Sequence, residues 1–198
     1  MGTTSISPEP LRRGGRGARE RILKAAARLF YEEGINATGM ARLVEVAQVS
    51  TRTFYQHFPS KNALVQEYLR RFDTDFPSYN EQQLQRSDLA PRERLLAVFS
   101  EQSGTGRIRG CPFHNAAVEA ADALPDIQEL VQRHKRTFIQ ALIDTAAQAG
   151  ADDPQILGCR LAVLFEGAAA LSTSLDDSQP VRDAHDTAVM LIDLATTS

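Results

Sequence analysis

Residues Val49 to Lys61 read VSTRTFYQHFPSK, and the reading of this stretch decides the fold. Ser50 and Ser60 are both suited to cap helices. The nine residues between them hold three large rings (Phe54, Tyr55, Phe58) beside an Arg, a Gln, a His and three hydroxyls. A helix of two turns does not stand alone in water, so one face must be packed. Phe54 and Phe58, four apart, form that face with Val49. Thr51, Arg52, Tyr55, Gln56 and His57 are then held outward or at the edges.

Working outward, Ala18 to Glu33 has helical periodicity, with Ile22, Ala25, Ala26, Leu29 and Phe30 inward and Gly34 placed to end the helix. Thr38 is expected as the N-cap of a second short helix, with Met40, Leu43, Val44 and Ala47 inward. Ser60 caps a longer fourth helix through Leu64, Tyr68, Leu69 and Phe72. Two short helices separated by Ala47-Gln48-Val49 and followed by a longer one fit a helix-turn-helix. The outward side chains suit DNA: Arg for guanine or phosphate, Gln for adenine, Thr for a thymine methyl or phosphate, Tyr and His for phosphate oxygens. Lys61 lies in the first turn of the fourth helix, where its charge gains nothing from the macrodipole. A phosphate held at that helix N-terminus accounts for it.

Thr38 to Leu64, TGMARLVEVAQVSTRTFYQHFPSKNAL, resembles the DNA-binding signature of the tetracycline-repressor (TetR) family of bacterial regulators. The resemblance rests on Thr38, the Val49-Ser50 turn exit, Thr53-Phe54-Tyr55, His57-Phe58, and Ser60-Lys61 with Leu64. It implies an all-α chain of about nine helices: a three-helix DNA-binding module and a C-terminal helical domain for ligand binding and dimerisation. It also implies a homodimer on double-stranded DNA with a pseudo-palindromic operator, released by a small-molecule effector. DNA contacts are expected from Thr38, Ser50, Thr51, Arg52, Tyr55, Gln56, His57 and Lys61. Two positions depart from the family pattern. Gln48 stands where Gly is usual in the turn, at a cost on the order of 1 kcal/mol if the backbone there is left-handed. Arg52 replaces a frequent Gly and adds a cation to the DNA face.

Charge segregation agrees with this reading. The net charge of the 198-residue chain is −3, but residues 1–72 hold 12 Lys+Arg against 6 Asp+Glu, and the remainder holds 10 against 19. A basic module on an acidic body is the expected arrangement. Residues 1–16 read as a flexible basic arm with Arg12, Arg13 and Arg16, residues 17–60 as the DNA-binding domain and residues 61–198 as the regulatory domain. Composition is that of a soluble globular protein, 42% hydrophobic and 24% charged. No apolar run is expected to cross a membrane, and the N-terminus lacks the hydrophobic segment of a secretory signal. Cys111 and Cys159 give no disulfide framework and fit a reducing cytoplasm.

Beyond Pro77 the expected elements are again helices. They run from Pro91 to about Gln102, from Cys111 to Ala123, and from Asp126, in a capping box with Glu129, to Ala149. Two more follow, from Pro154 behind the cap Asp153 to about Ser174, and from Pro180 onward. Leu157, Leu161, Leu164, Ala168, Leu171 and Leu175 form one stripe, and Val181, His185, Ala188, Ile192 and Ala195 another, with the alternation of bundle packing. Intramolecular core and a dimer seam both satisfy that pattern. Phe99, Phe113, His114, His134, Phe138 and Phe165 are expected to line a mainly apolar effector cavity, with His134 either a polar anchor or bonded to a backbone carbonyl. Cys111 and His114 have the spacing of a metal half-site, but no second pair completes it. Cys111 beside Arg107 and Arg109 also has the setting of a redox-sensitive thiol. No catalytic constellation or cofactor motif is present, so enzymatic turnover in the helical half stands as the rival from another class, beside an effector-free DNA binder.

Overall fold

The computed structural model describes residues 17–75, 78–101, 108, 110–120 and 125–197. The basic arm therefore lies outside the described residues, as do Gln102, Arg107 and Arg109. Every regular element among the described residues is a helix. The chain divides into two compact units between Leu64 and Val65.

In the first unit, α1 (Ala18–Glu32) buries Ile22, Ala25, Ala26, Leu29 and Phe30 as its periodicity requires. Gly34 follows in the left-handed region at φ 96°. Next come α2 (Met40–Val46) and α3 (Thr51–His57). The cap expected at Thr38 falls on Gly39 instead. Thr38 is fully buried, and its hydroxyl donates to the carbonyls of Gly34 at 2.7 Å and Leu29 at 3.3 Å. It latches the end of α1 rather than opening α2, because free carbonyls at the α1 terminus lie within its reach. Ser60 caps α4 (Lys61–Thr74), accepting from the Ala63 amide at 3.1 Å. Helix α4 crosses the division between the units.

The second unit continues with the single-turn α5 (Tyr79–Gln82), a 3₁₀ turn at Gln83–Gln85, α6 (Pro91–Ala97), α7 (Pro112–Ala120), α8 (Pro125–Gln148), α9 (Pro154–Leu175) and α10 (Gln179–Ala195). The short α5 brings the helices among the described residues to ten. Helix α6 stops at Ala97, short of the expected Gln102. Its last turns tighten, Phe99 and Ser100 donating to the carbonyls three residues back, and buried Asn80 caps the carbonyls of Val98 at 2.6 Å and Ser100 at 3.1 Å. Pro125, expected to stop the preceding helix, starts α8, and Asp126 sits in its first turn accepting from Gln66 at 3.0 Å. Asp153 caps α9 as expected, through the Ile156 amide at 2.9 Å.

Helices α8, α9 and α10 pack on one another around Phe138, Leu142, Leu157, Leu161, Ala168, Ala188 and Ile192. Gly158 permits the approach of α9 to α8: a Cβ there would sit 2.8 Å from the Ile143 backbone. By length and composition alone, α9 is long and apolar enough to cross a membrane, which corrects the expectation that no such run exists. It lies instead between α8 and α10 and carries Arg160 and Glu166.

Candidate nucleic-acid interface and regulatory cluster

The turn between α2 and α3 is a Schellman closure: the Val49 amide donates to Val44 and the Gln48 amide to Glu45, both at 3.0 Å. That geometry needs a left-handed residue, and Gln48 supplies it at φ 51°. Arg21 of α1 donates to the Ala47 carbonyl at 3.1 Å and fastens the turn to the module. Ser50 then caps α3, its hydroxyl accepting from the Thr53 amide at 3.1 Å.

Helix α3 is anchored by rings. Phe54 is fully buried and Phe58 nearly so, with centroids 6.0 Å apart, and Arg19 of α1 lies 5.4 Å over the Phe58 ring. Phe54 also meets the Tyr55 ring edge-on at 5.5 Å, which orients Tyr55 although that ring is 51% exposed. Ser50, Thr51, Arg52 and Gln56 are exposed with it, His57 and Lys61 are half-buried, and Thr38 alone of the expected DNA contacts is buried. One rigid helix thus presents a hydroxyl, a guanidinium, a phenol and an amide side by side.

In the second unit the expected cavity residues are brought together by contact. Phe138 and Phe165 lie 5.3 Å apart, Phe99 and Phe165 6.1 Å apart, and Phe113 stacks on the His134 ring at 3.6 Å and 7°. His114 is exposed, away from them. Two described grooves lie elsewhere: one of about 480 Å³ along the polar face of α8, one of about 250 Å³ between Ile156 of α9 and Leu194 of α10.

His134 bonds no backbone carbonyl. It is 6% exposed, and its ring sits between two carboxylates, Nδ1 at 2.8 Å from Asp73 of α4 and Nε2 at 3.1 Å from Glu81 of α5. Burial opposes the charged ring, yet Cys111, Glu81 and Asp73 together raise its pKa to about 10. Next to it, Lys135 pairs with Glu166 of α9 and lies 3.6 Å from the Cys111 sulfur. Burial alone would push the Cys111 thiol up, but the His134 side chain, the Lys135 ammonium and the His114 amide outweigh it and the thiol ends below its ordinary value. Burial likewise opposes the Lys135 charge, and the sulfur and Glu166 raise its pKa in spite of it. Sequence reading missed the carboxylates because Asp73, Glu81 and Glu166 come from three separate helices with no shared motif. Among the described residues no group of three metal-ligating side chains forms.

The striped faces of α9 and α10 split in two. Leu157, Leu161, Ala168, Ala188 and Ile192 are buried within the chain, whereas Val163, Met190 and Leu194 are 74%, 73% and 76% exposed, with Ile156, Leu171 and Leu175 exposed beside them. The seam expected at Leu161, Leu164, Ala168 and Leu171 is therefore corrected. Leu161 and Ala168 are core, because α10 already covers that face.

A turn closed against the first helix, a ring-anchored second helix and an exposed polar face define a helix-turn-helix DNA-binding regulator. Residues 22–68 match the family described as bacterial regulatory proteins, tetR family, and residues 93–187 match the LmrA/YxaF-like transcriptional regulator C-terminal domain. A solved Streptomyces avermitilis protein, assigned to the tetR transcriptional regulators, is 30% identical with a TM-score of 0.79, covering 91% of this chain and 98% of that one. The repressor NemR of Escherichia coli K12 is 26% identical over 145 residues, 71% of this chain and 72% of NemR. The repressor KstR2 of Rhodococcus jostii is 39% identical over 88 residues, 44% of this chain and 42% of KstR2. The chain belongs to the tetR family and is a DNA-binding transcriptional regulator.

Proposed function

We propose that two copies of this chain bind a pseudo-palindromic operator as a repressor, and that a small molecule held in the second unit releases them. The observation that carries the proposal is the exposed face of α3, where Arg52, Tyr55 and Gln56 are held by Phe54 and Phe58. Gln56 and Arg52 read base edges in the major groove, while Thr51, Tyr55, His57 and Lys61 hold phosphates. Ser50 presents its capped end of α3 to the backbone, and Thr38 contributes by fixing α1 against α2. Lys61 sits at N1 of α4, where exposed amides favour an anion.

The exposed apolar side chains of α9 and α10 form the dimer face, since a patch of that kind on a soluble chain marks association. An isologous pairing there gives the two-fold symmetry that an inverted-repeat operator requires. The effector is mainly apolar and enters by spreading Phe99, Phe113, Phe138 and Phe165, whose contacts now fill the space between their helices. A regulator of this kind works in the cytoplasm and turns over no substrate.

Selection of duplexes from a random pool by the purified protein tests the reading. Enrichment of an inverted repeat with half-sites about 34–36 Å apart is the expected result. A pool that remains random after repeated rounds contradicts it.

A further inference from the structure

Helix α4 starts at Lys61, beside the recognition helix in sequence, and ends at Thr74 in the regulatory unit. What fixes its far end is a buried charge. Asp73 accepts from His134 Nδ1 at 2.8 Å, and the other ring nitrogen faces Glu81 at 3.1 Å. We propose that this Asp73–His134–Glu81 clamp is the joint that sets α4 for operator binding, with His134 as its positioning residue. The inference rests on the repressor reading above and names the regulatory contact within it.

Three features carry it. The ring of His134 is stacked flat on Phe113 of α7, so α7 cannot part from α8 without displacing the imidazole that holds Asp73. The other polar tie from α4 to α8, Gln66 to Asp126, is exposed and has a neutral donor, so it holds less firmly. Asp73, finally, lies in the last turn of α4, where a negative charge opposes the macrodipole. The helix itself gains nothing from an aspartate there; the contact with His134 does.

The placement of Asp73 makes the joint separable from folding. In an Asp73→Ala variant, His134 keeps Glu81 as its counter-ion and α4 loses only an unfavourable terminal charge. The duplex selected by the parent is the probe, with a random-sequence duplex of equal length for comparison. Dissociation constants come from fluorescence anisotropy, and thermal midpoints are measured on the same preparations. Asp73→Ala should weaken binding to the selected duplex by about tenfold, a coupling of ordinary size for communicating sites. Its affinity for the random duplex and its melting midpoint should stay near those of the parent. Asp126→Asn, which cuts the exposed tie, should stay within about twofold on both duplexes.

Equal affinity of Asp73→Ala and parent for the selected duplex overturns the joint, as does an equal loss in Asp126→Asn. A loss of the same size on both duplexes also overturns it, because damage to the DNA-binding module would then be the cause. If Asp73→Ala fails to fold, Asp73→Asn is judged by the same outcomes. A parent that selects no sequence overturns the repressor reading and the joint together, whereas a selective parent with an indifferent Asp73→Ala overturns the joint alone.

Discussion

Gln48 is the one residue of the helix-turn-helix in a backbone region that side chains avoid, and the Schellman bonds on either side show why it stays there. The strain is on the order of 1 kcal/mol, small against the total stability of a domain. Replacement by Gly relieves that strain but adds chain entropy in the unfolded state. Chemical denaturation should therefore find Gln48→Gly at least as stable as the parent, and Gln48→Val weaker by roughly 1 kcal/mol or more, since a β-branched side chain tolerates positive φ worst. A Val variant as stable as the parent would contradict the strained turn. Position 48 was legible in the sequence, where a turn signal met a residue other than Gly. The latch at Thr38 was not, because a Thr before a helix reads as a cap unless the carbonyls behind it are visible.

His134 gives the same scale a pH dependence. Its pKa in the folded chain is raised to about 10, against about 6.5 for an unperturbed imidazole. The clamp contributes in full below the unfolded value and its contribution is lost as pH rises through about 10. His134→Gln leaves Asp73 and Glu81 without a cation and should destabilise the chain at pH 7 by roughly 3 kcal/mol, the low end for a broken buried pair, because Asp73 is 35% exposed. Urea titrations at a series of pH values should show the gap between parent and variant closing above pH 10. A gap that is constant with pH would mean that packing against Phe113, and not charge, holds the ring.

At the scale of elements, helix identity was written in periodicity and capping. Asp153-Pro154, Ser50 and Ser60 each sit where their chemistry placed them. Helix ends set by tertiary contacts were not legible: Asn80 reaches eighteen residues along the chain to stop α6. The stripes of α9 and α10 were legible as apolar but not as to which face was which, since seam and core share one period. The structure separates them, and the variants follow. Val163→Glu should give monomers of normal stability in light scattering, because Val163 is 74% exposed in the single chain. Ala168→Glu, at a buried position, should instead lower stability by several kcal/mol, through an unpaired charge in the core. A dimeric Val163→Glu protein would remove this face from the assembly.

Considered whole, the molecule divides its charge between two roles, with a basic N-terminal part carrying the recognition helix and an acidic remainder carrying the clamp and the apolar faces. That division and the DNA-binding signature were visible in sequence because each is local. The regulatory cluster was not, being assembled from helices far apart in the chain. The central claim is that the exposed face of α3 and the first turn of α4 read and hold DNA. A salt-dependent titration of the selected duplex with the parent, Gln56→Ala and Lys61→Ala tests it most directly. Lys61→Ala should lose affinity alike on every sequence, with the slope of log K against log salt reduced by about 1. Gln56→Ala should keep that slope and lose roughly 1–3 kcal/mol of discrimination at a single base pair. Parent-like affinity, slope and specificity in both variants would contradict the account.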